Sequence, residues 1–244
     1  RVLSLSIATY VHLEKFLAIE KNKENIFSDN FQVLENNSSL IANIENVNFK
    51  YLNSEKYIFK ELNIQIKRNN HTIVTGPNGV GKSTLLGLIS GVFYAQSGKV
   101  ILNTFKTSYV SAYPMIIRGT LRDNIMYGIE AIVSDEEINK EIEKFKLFEN
   151  NDIELDDLVS NKSLSSGQMQ KIAFIRAILS KPDLLLLDES TSNLDSKSKL
   201  LVYQILESLN ITILNSTHSA DELINYDREI RFISKDGITE INEI

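Results

Sequence analysis

The stretch Gly76-Pro77-Asn78-Gly79-Val80-Gly81-Lys82-Ser83-Thr84 decides how the rest of this chain is read. Just before it, His71–Thr75 (HTIVT) is a short β-branched run that reads as a buried strand, and just after it Leu85–Ser90 opens a helix. Strand, glycine-rich turn and helix, in that order, form the context that the pattern G-x-x-x-x-G-K-[ST] requires. Backbone N–H groups of such a turn and of the helix start point at one spot, and the helix dipole favours negative charge there. In this pattern Lys82 reaches the β- and γ-phosphates and the Ser83 hydroxyl ligates Mg2+. The combination implies a nucleoside triphosphate site rather than an ordinary turn.

The totals bound the class. A chain of 244 residues, 43% hydrophobic and 24% charged, is long enough for one large domain, or a domain with a subdomain, around a sizeable core. The net charge of −6 argues against a grip on nucleic acid through bulk electrostatics. There is no cysteine, which excludes disulfides and thiolate metal sites and fits a reducing, cytoplasmic setting; the three histidines lack metal-ligand spacing. No apolar run of about 18 residues is present, so nothing here is expected to span a membrane by itself. The chain opens on Arg1 rather than methionine, which points to processing or to a piece of a longer protein.

Working outward from the glycine-rich turn, residues 1–20 are apolar at helical spacing (Leu3, Ile7, Tyr10, Leu13, Leu17). They read either as the cytoplasmic tail of a longer helix, the end of a last transmembrane helix, or as a surface helix packed on its own domain. Residues 21–40 are polar and read as a linker, so the folded domain is expected over 41–244. Ile41–Phe49 and Lys56–Lys67 alternate apolar and polar residues as half-buried antiparallel strands do. Short strands follow at Gly98–Asn103 and Lys106–Val110, then helices at Thr120–Tyr127, Asp135–Lys146 and Gly167–Leu179. Leu184–Leu187 is a continuous aliphatic run, the mark of a central parallel strand buried on both faces. A helix over Ser196–Leu209, a strand over Ile211–Leu214 and a hairpin around Asp236-Gly237 close the chain. Strands and helices alternate at both ends of a helical block, which predicts an α/β core with an antiparallel β subdomain and a helical subdomain inserted at about residues 113–180.

A second acidic element narrows the chemistry. The run KPDLLLLDESTSNLD (Lys181–Asp195) ends its aliphatic strand in Asp188 and Glu189, where ligands bind in open α/β sheets. Asp188 can hold the Mg2+ shell, and Glu189 can orient or deprotonate a water for in-line attack on the γ-phosphate. Upstream lies Leu164-Ser165-Ser166-Gly167-Gln168. Taken with the glycine-rich loop and the Asp-Glu pair, this order resembles the ATP-binding cassette (ABC) family, whose signature is LSGGQ. The segment Tyr109–Gly128 (YVSAYPMIIRGTLRDNIMYG) is similar to the exporter pattern YVPQ-x-P-x-x-F-x-GT-(I/L)-R-(D/E)-NI. The resemblance covers roughly residues 41–244.

That resemblance implies a P-loop (RecA-like) core, ATP and Mg2+ as cofactors, and a head-to-tail pair in which each ATP lies between the phosphate loop of one copy and the signature of the other. Nucleotide contacts then fall on Gly76, Pro77, Asn78, Gly79, Val80, Gly81, Lys82, Ser83 and Thr84, and from the second copy on Ser165, Ser166, Gly167 and Gln168. Tyr51, ahead of Gly76, matches the aromatic that stacks on adenine, with Tyr57 as a rival. Ser83 and Asp188 are the expected metal ligands; Lys82, Glu189 and His218 are the expected catalytic set, His218 matching the switch histidine. Ser192–Asp195 matches the loop that crosses between copies. The implied partners are a second nucleotide-binding domain, expected as a homodimer, and a transmembrane domain, on the cytoplasmic side of a membrane, with no nucleic acid.

The chain departs from the family pattern at named positions. The glutamine that contacts Mg2+ aligns with Ala112, and Gln96 lies too early to replace it. Ser166 stands where glycine is usual, and the segment before the signature is VSNKS rather than acidic. Ala112→Gln is therefore expected to tighten Mg2+-ATP use or coupling. Two other classes compete with an exporter ATPase domain. A soluble ABC ATPase on nucleic acid or ribosomes would call for a basic surface and tandem cassettes. A cassette that binds ATP only to regulate a partner is kept open by Ala112 and opposed by Glu189.

Overall fold

The computed structural model describes residues 30–52, 54–148, 153–217, 225–235 and 238–243. The expected helical tail, the first part of the expected linker, the hairpin tip at Asp236-Gly237 and His218 lie outside these residues.

Strands β1 (Phe31–Val33), β2 (Leu40–Phe49), β3 (Phe59–Lys67) and β5 (Ser97–Leu102) form one sheet in the order β1-β5-β2-β3. β2 runs antiparallel to both β3 and β5, as its alternation leads one to expect, while β1 is parallel to β5. β1 falls inside the stretch read as linker. The polar composition around it hides a three-residue apolar-polar-apolar unit in which Phe31 is buried and Val33 sits opposite Leu102. A short strand needs only one buried ring to anchor it.

The second sheet has six strands in the order β12-β11-β4-β10-β9-β6, with β4 (His71–Thr75), β6 (Thr107–Ser111), β9 (Leu184–Asp188), β10 (Thr212–Ser216), β11 (Arg228–Lys235) and β12 (Ile238–Glu243). All neighbours in it are parallel except the β11–β12 hairpin. Alternate residues of its central strands serve two cores. Val74, Leu184, Leu186 and Leu214 pack with helix α1 (Lys82–Ile89) and the first sheet, whereas Ile73, Leu185, Leu187 and Ile213 face the helices beyond. All four leucines of β9 are fully buried, each contributing about 1.5–3 kcal/mol through loss of apolar surface to water.

The opposite core is closed by α2 (Leu121–Met126), α3 (Asp135–Lys144), α4 (Ser166–Leu179) and α5 (Ser196–Glu207), with a two-stranded ribbon of β7 (Gly119–Thr120) and β8 (Leu158–Val159). Thr120, Ser134 and Ser165 each cap a helix through a reciprocal box with Asp123, Glu137 and Gln168, leaving the start of each helix satisfied. α3 stops short of the expected Lys146 because that residue takes a left-handed φ of 47°. Parallel strands fix the site: the C-terminal ends of β4, β6, β9 and β10 lie side by side, so whatever follows them meets on one edge of the sheet.

Candidate functional site

The loop from Gly76 to Gly81 joins β4 to α1. Gly76 adopts φ 142°, and a Cβ there would lie 2.5 Å from the Phe232 carbonyl oxygen, so the loop passes too close to β11 for any other residue. Gly79, at φ 77°, faces open space. α1 begins at Gly81 with no side chain capping it, and its first N–H groups are left for a ligand or water. This is a cradle of donors at a positive helix end, suited in shape and charge to a polyphosphate.

Lys82 is only 4% exposed. Its ammonium donates to the carbonyls of Gly76 (2.9 Å) and Pro77 (3.2 Å) and lies 3.8 Å from Glu189 Oε1. Burial lowers its pKa, and the charges of Glu189 and Asp188 pull it back up. Ser83 Oγ donates to Asp188 Oδ1 at 2.8 Å, which sets a hydroxyl and a carboxylate side by side. Hard oxygen donors of this kind fit Mg2+, which takes few protein ligands and keeps waters and phosphate oxygens for the rest. Among the described residues no group of three or more His, Cys, Asp or Glu forms a denser cage.

Two residues not singled out in the sequence complete the surroundings of Asp188. Ser216 Oγ donates to Oδ1 at 2.7 Å, and the Tyr109 hydroxyl donates to Oδ2 at 2.8 Å. Burial, reinforced by the negative charge of Asp188, pushes the Tyr109 phenol well above its ordinary pKa, so it stays a donor. Register carried a signal for Ser216: in parallel pairing it stands directly opposite Asp188, and the expected strand stopped two residues too soon to reach it. Glu189 leaves the strand at φ 48°, a left-handed conformation that costs a residue of this type about 1–3 kcal/mol. Its N–H bonds the Ser216 carbonyl, so the turn starts with Glu189 held against β10 beside Lys82.

Tyr51 reaches the same loop. Its hydroxyl is 2.7 Å from Thr84 Oγ1 and its ring packs edge-on against Phe49 and Phe93, with 42% of the residue exposed. Tyr57, the rival, lies instead beneath the ammonium groups of Lys50 and Lys60. The signature residues sit elsewhere. Ser165 and Gln168 spend their side chains capping α4, and among the described residues none of their hydrogen bonds goes to 76–84. Ser165 and Ser166 are exposed and Gly167 is half-buried. The Gln-to-Ala position is held through backbone alone: Asn193 Nδ2 donates to the Ala112 carbonyl (2.5 Å) and Gln170 Nε2 to that of Ser111 (3.0 Å). Asp195 caps α5.

A family model described as "ABC transporter" matches residues 59–192. The chain belongs to the ABC transporter family. As an ABC ATPase domain it has the P-loop fold, and its likeness to the exporter type extends to its relatives. It is 33% identical over 206 residues to the ATP-dependent permease MDL1 of Candida albicans, covering 75% of this chain and 30% of that protein. It is 30% identical over 212 residues to a multidrug resistance ABC transporter ATP-binding and permease protein of Lactococcus lactis subsp. lactis, covering 79% and 36%. An import protein, the spermidine/putrescine ATP-binding protein PotA of Clostridium acetobutylicum, is 29% identical over 218 residues, covering 83% and 61%. The chain thus spans less than two thirds of each of these relatives. No described helix of this ABC domain is long and apolar enough to cross a membrane.

Proposed function

We propose that this ABC domain binds and hydrolyses ATP between two copies arranged head to tail, and that the cycle drives an exporter whose membrane-spanning part belongs to the same transporter. The observation that carries the reading is the meeting of Lys82 and Ser83 with Glu189 and Asp188 at one edge of the sheet. Residues 76–84 hold the phosphates, with Lys82 turning from the Gly76 and Pro77 carbonyls to the β- and γ-phosphates. Ser83 and Asp188 hold Mg2+, which when bound neutralises charge developing on the phosphate oxygens. Glu189 orients the attacking water and takes its proton, while Tyr51 stacks on adenine. Catalysis here is positioning and charge stabilisation, without a covalent intermediate.

His218 is assigned to the γ-phosphate on its resemblance to the switch histidine. Ser165, Ser166, Gly167 and Gln168 of the second copy close over the same phosphate, a reading supported by the Ser165 and Gln168 side chains capping their own helix and, among the described residues, not bonding the phosphate loop of their own chain. ATP then ties two copies together, and loss of the γ-phosphate releases them, on the cytoplasmic side of the membrane. The segment from Tyr109 to Gly128 meets the membrane domain.

A single-turnover ATPase assay tests the proposal. The parent is expected to convert ATP to ADP and phosphate, and Glu189→Gln to slow this by at least a hundredfold while retaining ATP and associating with a second copy. A parent that retains ATP without turnover would favour the second reading, an ATP-dependent interaction module, which Ala112 supports. Failure to retain ATP at all would remove both.

A further inference from the structure

Asp188 is held from three directions. Ser83 comes from α1, Ser216 from β10 and Tyr109 from β6, and the two serines share Oδ1 while Tyr109 is the partner of Oδ2 among the described residues. The β6 side is where the glutamine is missing. At the end of that strand Ser111 Oγ donates to the Tyr113 carbonyl, and the carbonyls of Ser111 and Ala112 accept from Gln170 and Asn193. In the parallel register Tyr109 stands beside Leu186 and Ser111 beside Asp188, so the phenol reaches forward along β9 to the carboxylate.

Resting on the ATP-hydrolysing reading, we propose that Tyr109 is the positioning residue that orients the Asp188 carboxylate toward a divalent cation, supplying from β6 the polar contact that Ala112 lacks. Its hydroxyl fixes the rotation of the carboxylate by engaging Oδ2. Groups that hydrogen-bond a metal-ligating carboxylate in this way are worth roughly ten- to a hundredfold in metal affinity. Phenylalanine would keep the ring of this residue, 41% exposed as a whole, and remove only the donor.

The test is a titration of Mn2+ into the chain preloaded with a non-hydrolysable ATP analogue, followed by electron paramagnetic resonance, beside analogue binding in excess chelator. Tyr109→Phe is expected to bind Mn2+ about tenfold more weakly, with analogue binding in chelator unchanged. Adding Ala112→Gln should recover at least threefold in the Tyr109→Phe background and clearly less in the parent, because both side chains would serve one bound cation, the glutamine directly and Tyr109 through Asp188. Mn2+ affinity of Tyr109→Phe within twofold of the parent would overturn the assignment, as would equal gains from Ala112→Gln in both backgrounds. The double variant also guards against a folding defect, which a glutamine at 112 would not repair. Absence of analogue binding by the parent both in chelator and with Mg2+ would instead overturn the ATP reading beneath it.

Discussion

Gly167 offers the sharpest test of the head-to-tail arrangement. It lies in the first turn of α4, and a Cβ built there would find only the Asn193 carbonyl oxygen and Leu194 Cδ2, each at 3.9 Å. Nothing among the described residues demands glycine there. Alanine in a helix is favoured over glycine by up to about 1 kcal/mol, and somewhat less in a first turn, so Gly167→Ala should stabilise the isolated domain by about 0.5–1 kcal/mol. For a domain of this size that raises Tm by roughly 1–4 °C. In a closed pair the same methyl would meet the partner's nucleotide. Overpacking costs about 1–3 kcal/mol per site, and a symmetric pair suffers it twice, giving about 2–6 kcal/mol or a dimer weakened about thirtyfold or more. Differential scanning calorimetry without nucleotide, and analytical ultracentrifugation with ATP in the Glu189→Gln background, read the two effects separately. Gly87→Ala is the control: it too sits in a helix, but its Cβ would come within 2.4 Å of Phe93 Cδ2, so it should destabilise, and it should disturb Tyr51, which packs on that ring. A lower Tm for Gly167→Ala, or an ATP-dependent dimer of undiminished strength, would refute the reasoning.

Two further outcomes follow from the core and the caps. Leu186→Ala empties a fully buried position among Val74, Leu214 and α1, and should cost about 2–5 kcal/mol in urea denaturation; a loss below about 1 kcal/mol would mean that the sheet collapses around it. The Asp195 carboxylate accepts the backbone N–H of Ser198, its hydroxyl and the N–H of Lys197, which hold its pKa below the ordinary value. A depressed carboxylate contributes stability that is complete above its unfolded pKa, about 4, and lost as pH falls through its folded value. Urea midpoints measured from pH 6 down to pH 2 should fall in the acid range, and Asp195→Asn should flatten that fall; an unchanged slope would exclude the contribution.

Most of the architecture was legible because its signals are local. The aliphatic run at Leu184–Leu187 could only be buried on both faces, and the glycine pattern at 76–84 needs a strand before and a helix after it. What escaped is what depends on pairing. β1 was hidden in a polar stretch since a three-residue strand has too little pattern of its own, and its place is set by β5, distant in sequence. Ser216 and Tyr109 surround Asp188 only once three parallel strands are in register. Asn193 and Gln170 act on backbone carbonyls, which leave no mark on the sequence at the receiving end.

Those two amides bear on how hydrolysis reaches the membrane domain under the proposed reading. The Gln-to-Ala change removes a side chain from the loop after β6, yet that loop stays connected at both ends of the catalytic apparatus. Asn193 belongs to the turn that begins at Glu189, and Gln170 to the helix that begins with the signature. Gln170 is fully buried and, among the described residues, its Oε1 has no partner and its amide bonds the Ser111 carbonyl rather than a network that could take up slack. A shift of the 189–195 turn or of α4 therefore moves the backbone of Ser111 and Ala112 directly, and with it the segment that runs on to Gly128. Under the proposed reading, the contacts from the 189–195 turn and from α4 to this segment run through the main-chain carbonyls of Ala112 and Ser111.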